Sequence, residues 1–170
     1  MGNRQARIRT VEEHVRCENA HDLDGVLATF GASARYDDEP WDEHHEGRDE
    51  VRAYYETLLA ALPDLRIDIA RRYVDDEAII LEVTIRGTHR GTWRGLPSTG
   101  RRVQFPLCGV YSFDGDDRLR GEKIYYDRAT VLRQIGMFHE PFRWPGTLVT
   151  PLLHPATMAR AVGRHLLRRH

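Results

Sequence analysis

Residues 87–136 read GTHRGTWRGLPSTGRRVQFPLCGVYSFDGDDRLRGEKIYYDRATVLRQIG, and this stretch decides the fold. Val103, Phe105, Leu107 and Tyr111 fall on one face, with Gln104, Cys108 and Ser112 on the other. Period-two alternation is the signature of a strand with one buried face. Asp114-Gly115 is a turn signal, and a final strand is expected over about 119–126. That strand hands over to a helix at a single carboxylate, Asp127. Val131, Leu132 and Ile135 follow at helical spacing and Gly136 supplies the stop. A carboxylate at such a junction can look into whatever the sheet encloses.

Upstream the alternation continues. Ile79, Leu81, Val83 and Ile85 oppose Glu82, Thr84 and Arg86, while Leu65, Ile67 and Ile69 oppose Arg66, Asp68 and Ala70, with an Asp75-Asp76 turn between the two runs. Before Pro63 the period becomes helical, with Val51, Tyr54, Tyr55, Leu58, Leu59 and Leu62 on one stripe. Thr10 and Glu13 have the spacing of a capping box, which places a first helix over about 10–20. Asp22 is suited to cap a short helix carrying Leu23, Val26, Leu27 and Phe30. A short strand is expected at 34–38, with a loop or hairpin over 37–46. Helices first and long antiparallel strands afterwards make an α+β domain with the helices on one face of a bent sheet.

Beyond Gly136 the character changes: 137–170 contains four prolines and no acidic residue after Glu140. From Pro155 a basic amphipathic helix is expected, with Met158, Ala161, Val162 and Leu166 on one side and Arg160, Arg164 and Arg168 around the rest. The chain therefore divides into an extension at 1–9, a domain at 10–136 and a basic tail at 137–170. That tail reads as a lid or dimer strap or as a weak contact for anionic surfaces, and it suits a solvated or dimer-contacting helix better than a membrane anchor.

The 170 residues suit one domain plus an appendage. With 25 Lys and Arg against 26 Asp and Glu, the whole molecule carries no footprint for nucleic acid. Cys17 and Cys108 lie far apart without a CxxC spacing, which argues against a disulfide framework and a zinc site. The N-terminus lacks the apolar region of a signal peptide, and no apolar run reaches the roughly 18 residues of a membrane span. A cytoplasmic location without membrane association is expected.

Strand parity nominates the site. His89 shares the parity of Ile79 to Ile85, so it looks inward unless Gly87 makes a bulge. Asp127 shares parity with Leu119, Lys123 and Tyr125, which puts Tyr125 on the same wall; a one-residue shift would substitute Tyr126. A carboxylate and an imidazole facing an apolar cavity suit proton transfer, because desolvation moves both pKa values toward neutrality. Each also has a simpler use, Asp127 as a helix cap and His89 as a hydrogen-bonded core histidine. The run Trp41-Asp42-Glu43-His44-His45-Glu46 is rich in metal-ligand chemistry, but adjacent histidines on an extended segment point apart and match no ligand pattern. No metal is expected there. The run 95–102 lacks the Lys-Ser/Thr of a phosphate loop and reads as a turn between strands.

Four pieces, PDLRIDI (63–69), GTHRG (87–91), GLPSTGRRV (95–103) and YYDRATVLRQIG (125–136), together resemble the SnoaL-like polyketide cyclases, a branch of the NTF2-like superfamily. Ser98 stands where family members usually carry a second proline. The resemblance implies a cone, a curved antiparallel sheet wrapped by about three helices around a pocket, pairing as a homodimer through the sheet. It also implies ring closure by intramolecular aldol condensation without a cofactor, with Asp127 as the acid/base and His89 as its helper. Tyr36, Trp41, Tyr55, Phe105 and Tyr125 are the candidate wall residues. The expected function is a cofactor-independent cyclase or isomerase acting on a small hydrophobic carbonyl compound. The alternatives are an epoxide hydrolase or dehydratase on the same fold, and a non-catalytic small-molecule-binding or dimerisation module.

Overall fold

The structure is a computed structural model and describes residues 3–141 and 143–167. Helix α1 (Arg4–Ala20) begins at Asn3, whose Oδ1 accepts the amides of Gln5 and Ala6. It thus starts well before Thr10. The expected capping box fails because Thr10 lies inside the helix, its hydroxyl donating to the Ala6 carbonyl. The amino-terminal residues from Arg4 are helical for the same reason.

Asp22 caps α2 (Leu23–Thr29) through the Gly25 amide. The acidic segment that follows is a hairpin of β1 (Arg35–Asp38) and β2 (Glu43–Glu46), joined by a 3-10 turn at Glu39–Trp41. Helix α3 (Arg48–Ala61) follows, then four long strands: β3 (Arg66–Val74), β4 (Ala78–Thr88), β5 (Arg102–Phe113) and β6 (Leu119–Tyr126). Helix α4 (Arg128–Gln134) closes the domain, and Gly136 stands at φ 85°, the left-handed conformation a glycine stop permits.

The six strands form one open sheet in the order β2-β1-β6-β5-β4-β3. Four of its five pairings are antiparallel as expected, but β1 runs parallel to β6, so the sheet is mixed. Val11, Val15, Val26 and Val51 of the helices, with Phe30 just beyond α2, pack on Ile79, Leu81, Val83, Tyr111 and Leu119 of the concave face. Register shifts in β3 at Ala70 and in β6 at Arg120 bend the sheet, as bulges do.

Helices α5 (Gly146–Leu153) and α6 (Pro155–Leu167) extend beyond the domain, with Leu148, Leu152, Leu153, Met158 and Val162 exposed. Among the described residues, no helix is long and apolar enough to cross a membrane.

Candidate active site

Helices α1 to α4 and the concave sheet face line a cavity of about 80 Å³. A water needs ~10–15 Å³ on that measure, so the space holds several waters or part of an organic ligand. Leu58, Leu59, Val83, Ile85, Phe105 and Leu107 supply apolar wall. The polar lining falls into two networks, spaced along β6 by the inward residues Glu122 and Tyr126. Four residues of strand separate these two, or about 13 Å.

The first network centres on Asp38, which is 1 % exposed at the end of β1. Its Oδ2 accepts from Arg94 Nη2 at 2.9 Å, Tyr54 at 3.2 Å and Tyr126 at 3.4 Å, while its Oδ1 has no hydrogen-bond partner. Trp41 Nε1 donates to the Tyr126 hydroxyl at 2.7 Å, leaving that hydroxyl's own proton for Asp38. Burial pushes the Asp38 carboxyl above its ordinary value, and the Arg94 guanidinium opposes the rise. Arg94 also pairs with Glu43 and lies over the rings of Trp41 and Trp93, at 4.5 and 5.5 Å from their centroids. Burial likewise keeps the Tyr54 phenol protonated, a donor at every ordinary pH.

His89 is 1 % exposed and lines the same cavity. Its backbone is pinned on both sides, the amide donating to the Arg101 carbonyl and the carbonyl accepting from Gly100. The Thr99 amide donates to its Nδ1 at 3.3 Å. The Thr99 hydroxyl also lies 3.1 Å from Nδ1, and the tautomer in which Nδ1 accepts from the amide carries its ring proton on Nε2. Nε2 has no protein partner, which leaves a buried N–H for a ligand oxygen.

The second network joins His14 and Glu18 of α1, Tyr55 of α3 and Glu122 of β6, all buried. The Thr29 hydroxyl gives its proton to the Val26 carbonyl, so its oxygen accepts from His14 Nδ1 at 2.7 Å. Nε2 of the same ring lies 3.1 Å from Glu122 Oε2, which requires a proton there too. His14 is therefore an imidazolium: burial pulls its pKa down, but Glu18 and Glu122 push it up to about 10. Burial raises the Glu18 carboxyl. His14, Glu18 and Glu122 are the one group among the described residues whose ligand atoms converge as a metal site would need.

Asp127 sits elsewhere. Its carboxylate accepts from the Ala129 amide at 2.9 Å and the Thr130 hydroxyl at 2.5 Å, it is exposed, and it does not line the cavity. The Thr130 bond, followed by those from the helix amides, holds its pKa below the ordinary value, the reverse of a desolvated base. Tyr125 points outward as well and is 45 % exposed. The cause is the bulge in β6: Ser112 pairs with Gly121 and Phe113 with Leu119, so Arg120 is an extra residue. One extra residue reverses the parity of every position beyond it. Glu122, Ile124 and Tyr126 thereby face inward, and Lys123, Tyr125 and Asp127 do not.

Among the remaining candidates, Tyr36, Tyr55 and Phe105 line the cavity. Trp41 stands behind Tyr126 and is not a wall residue. On β2, His44 binds Asp37 at 2.7 Å while His45 stacks near Tyr54, so the adjacent histidines serve different partners. Asp38, Glu18, Glu122 and Arg94 do not stand out in the sequence. The one signal that points to any of them is the i, i+4 spacing of His14 and Glu18 on an apolar helix face.

The sequence profile of the SnoaL-like polyketide cyclases matches residues 8–135. The chain belongs to this family. No curated protein shows a significant sequence match to this SnoaL-like chain. Among solved structures, AclR from Streptomyces galilaeus, a candidate hydroxylase, is 22% identical with a TM-score of 0.70, over 81% of this chain and 100% of its own. A Catenulispora acidiphila protein of ketosteroid isomerase-like fold, solved with trimethylamine, is 16% identical with a TM-score of 0.66, over 76% and 93%. SalBIII, an epoxide hydrolase/cyclase-like enzyme with a role in pyran ring formation in the polyether salinomycin, is 19% identical with a TM-score of 0.63, over 74% and 94%. At these identities the likeness establishes the NTF2-like fold of the SnoaL-like domain.

Proposed function

We propose that this SnoaL-like protein is a cyclase or isomerase that works by acid–base chemistry, without a cofactor, on a small hydrophobic carbonyl compound. Asp38 is the general base and His89 the hydrogen-bond donor. The observation that carries the reading is the unpartnered Asp38 Oδ1 in the same cavity as the unpartnered His89 Nε2. In this scheme Asp38 takes a proton alpha to the carbonyl. The His89 N–H stabilises the enolate oxygen, and the enolate attacks a second carbonyl or is reprotonated elsewhere. Phe105, Leu107 and the tyrosines hold the apolar body of the substrate. The exposed Tyr73 and Tyr125 on the outer sheet face support pairing of two copies, which a size measurement checks.

The test applies before any substrate has been identified. A panel of hydrophobic ketones and 1,3-dicarbonyl compounds is incubated with the protein in D₂O, and exchange at the alpha carbon is followed by mass spectrometry. Exchange should occur with wild type, fall by at least ~10²-fold in Asp38→Asn, and persist in Asp127→Asn. Undiminished exchange in Asp38→Asn defeats the assignment.

The Asp38–Arg94–Glu43 arrangement favours a second reading, epoxide opening. There Asp38 would activate water while a protonated neighbour such as Tyr126 donates to the epoxide oxygen, in keeping with the activity class named for SalBIII. Incorporation of ¹⁸O from labelled water into a diol separates this outcome from carbonyl chemistry.

A further inference from the structure

We propose that His14, Glu18, Glu122 and Tyr55 form a tetrahedral site for a divalent cation of the zinc class, beside the cavity and separate from Asp38 and His89. His14 Nε2 lies 3.1 Å from Glu122 Oε2, 3.2 Å from Tyr55 Oη and 3.6 Å from Glu18 Oε1. Tyr55 Oη lies 3.0 Å from Glu18 Oε1 and 3.1 Å from Glu122 Oε2. Zinc held by nitrogen and oxygen at roughly 2.0–2.2 Å in a tetrahedron sets its ligands about 3.3–3.6 Å apart. Five of the six edges among these atoms thus measure 3.0–3.6 Å, and the sixth, Glu18 to Glu122, lies within 4.8 Å, so an ion is centred by drawing the two carboxylates together.

Proton supply points the same way. The His14 Nε2–H and the phenols of Tyr55 and Tyr111 are donors to this cluster, the Tyr55 hydroxyl being shared between two carboxylates, and none of them reaches Glu18 Oε2. Glu18 Oε2 is buried without any hydrogen-bond partner. A carboxylate oxygen left so is unfavourable, and a divalent cation in place of the His14 Nε2 proton sets two positive charges, where the imidazolium sets one, against the two carboxylates.

The surroundings of His14 are those of a metal-binding histidine. The Thr29 oxygen accepts from Nδ1–H, fixing the ring and turning Nε2 toward the carboxylates. His14 and Glu18 stand one turn apart on α1 and so present to the same side. Glu18, Tyr55 and Glu122 also line the cavity, which provides the entry path. With four protein ligands the site is a closed one, tying α1 and α3 to β6. The separated cysteines exclude only a thiolate zinc site, and the histidine-rich run at 42–46 takes no part.

The test uses full-length protein stripped with a chelator and titrated with Co²⁺, then Zn²⁺. The expected result is one Co²⁺ per chain with the intense visible bands of tetrahedral cobalt, displacement by Zn²⁺, and a raised melting temperature. Glu122→Gln should weaken binding by more than the ~10–100-fold that loss of an outer-sphere partner causes. Tyr55→Phe, a milder change, should keep the metal and shift the bands. His44→Ala and Asp38→Asn should leave the titration unaltered, so failure here and failure of the acid–base reading are distinguishable. Absence of tetrahedral bands in wild type overturns the proposal, and so does binding that Glu122→Gln and Tyr55→Phe both leave untouched.

Discussion

Arg94 Nη2 stands 2.9 Å from Asp38 Oδ2, and this contact holds in check the carboxyl that burial pushes upward. A base must be deprotonated to act, so activity is lost as pH falls through the raised Asp38 value. The acid limb of kcat/KM should therefore lie above the roughly 3.9 of a free aspartate. Arg94→Met removes the opposing charge, and that limb should move to higher pH. A pH–rate profile of the two proteins checks it; an unmoved limb means that Asp38 is not the titrating base.

The unpartnered His89 Nε2–H predicts a kinetic signature. If it contacts the developing enolate oxygen, His89→Ala should lower kcat by ~10²–10³-fold and change KM far less. Steady-state kinetics on the substrate found by exchange decides this. A loss confined to KM would make His89 a binding residue.

Asp127 is expected to matter for stability and not for turnover. Asparagine caps about as well as aspartate but lacks its charge, so Asp127→Asn should cost less than Asp127→Ala, which should lose about 1 kcal/mol in urea denaturation. The carboxylate's depressed pKa makes its charged form the stabilising one. Its contribution is present above the unfolded value of about 3.9 and disappears as pH falls through the folded value. Asp127→Ala should accordingly converge on wild type in acid.

Gly91 approaches α3 so closely that an added Cβ would stand 2.0 Å from the Ala60 carbonyl oxygen. Neither backbone can yield cheaply, so Gly91→Ala should destabilise by ~1–3 kcal/mol, as overpacking does. Because Trp93 and His89 share this loop, activity should fall with it. Thermal melting and the exchange assay together report both effects.

The fold was legible because periodicity survives in sequence. The alternation in β4 and β5 and the Tyr54–Leu62 stripe are statements about burial, and burial is what the structure realises. The site was less legible because parity propagates only through unbroken strand. A single extra residue at Arg120 moved Asp127 out of the cavity and brought Glu122 and Tyr126 into it, and nothing in LRGEKIYY announces that residue apart from Gly121. Asp38 was hidden for another reason. In DDEP it is one acid among several, and only the arrival of Arg94 from a loop 56 residues away distinguishes it.

Tyr54 and Tyr55 are neighbours in the chain, yet one serves Asp38 and the other serves Glu18 and Glu122. Successive residues of a helix differ by about 100° of rotation and 1.5 Å of rise. Their divergence is therefore built into the screw of α3 and owes nothing to loop conformation. The two networks are thus parted on one wall by the screw of the helix and on the other by the four residues of β6 from Glu122 to Tyr126. Side chains along the wall can be exchanged to suit different occupants, while the distance an occupant must span stays constant.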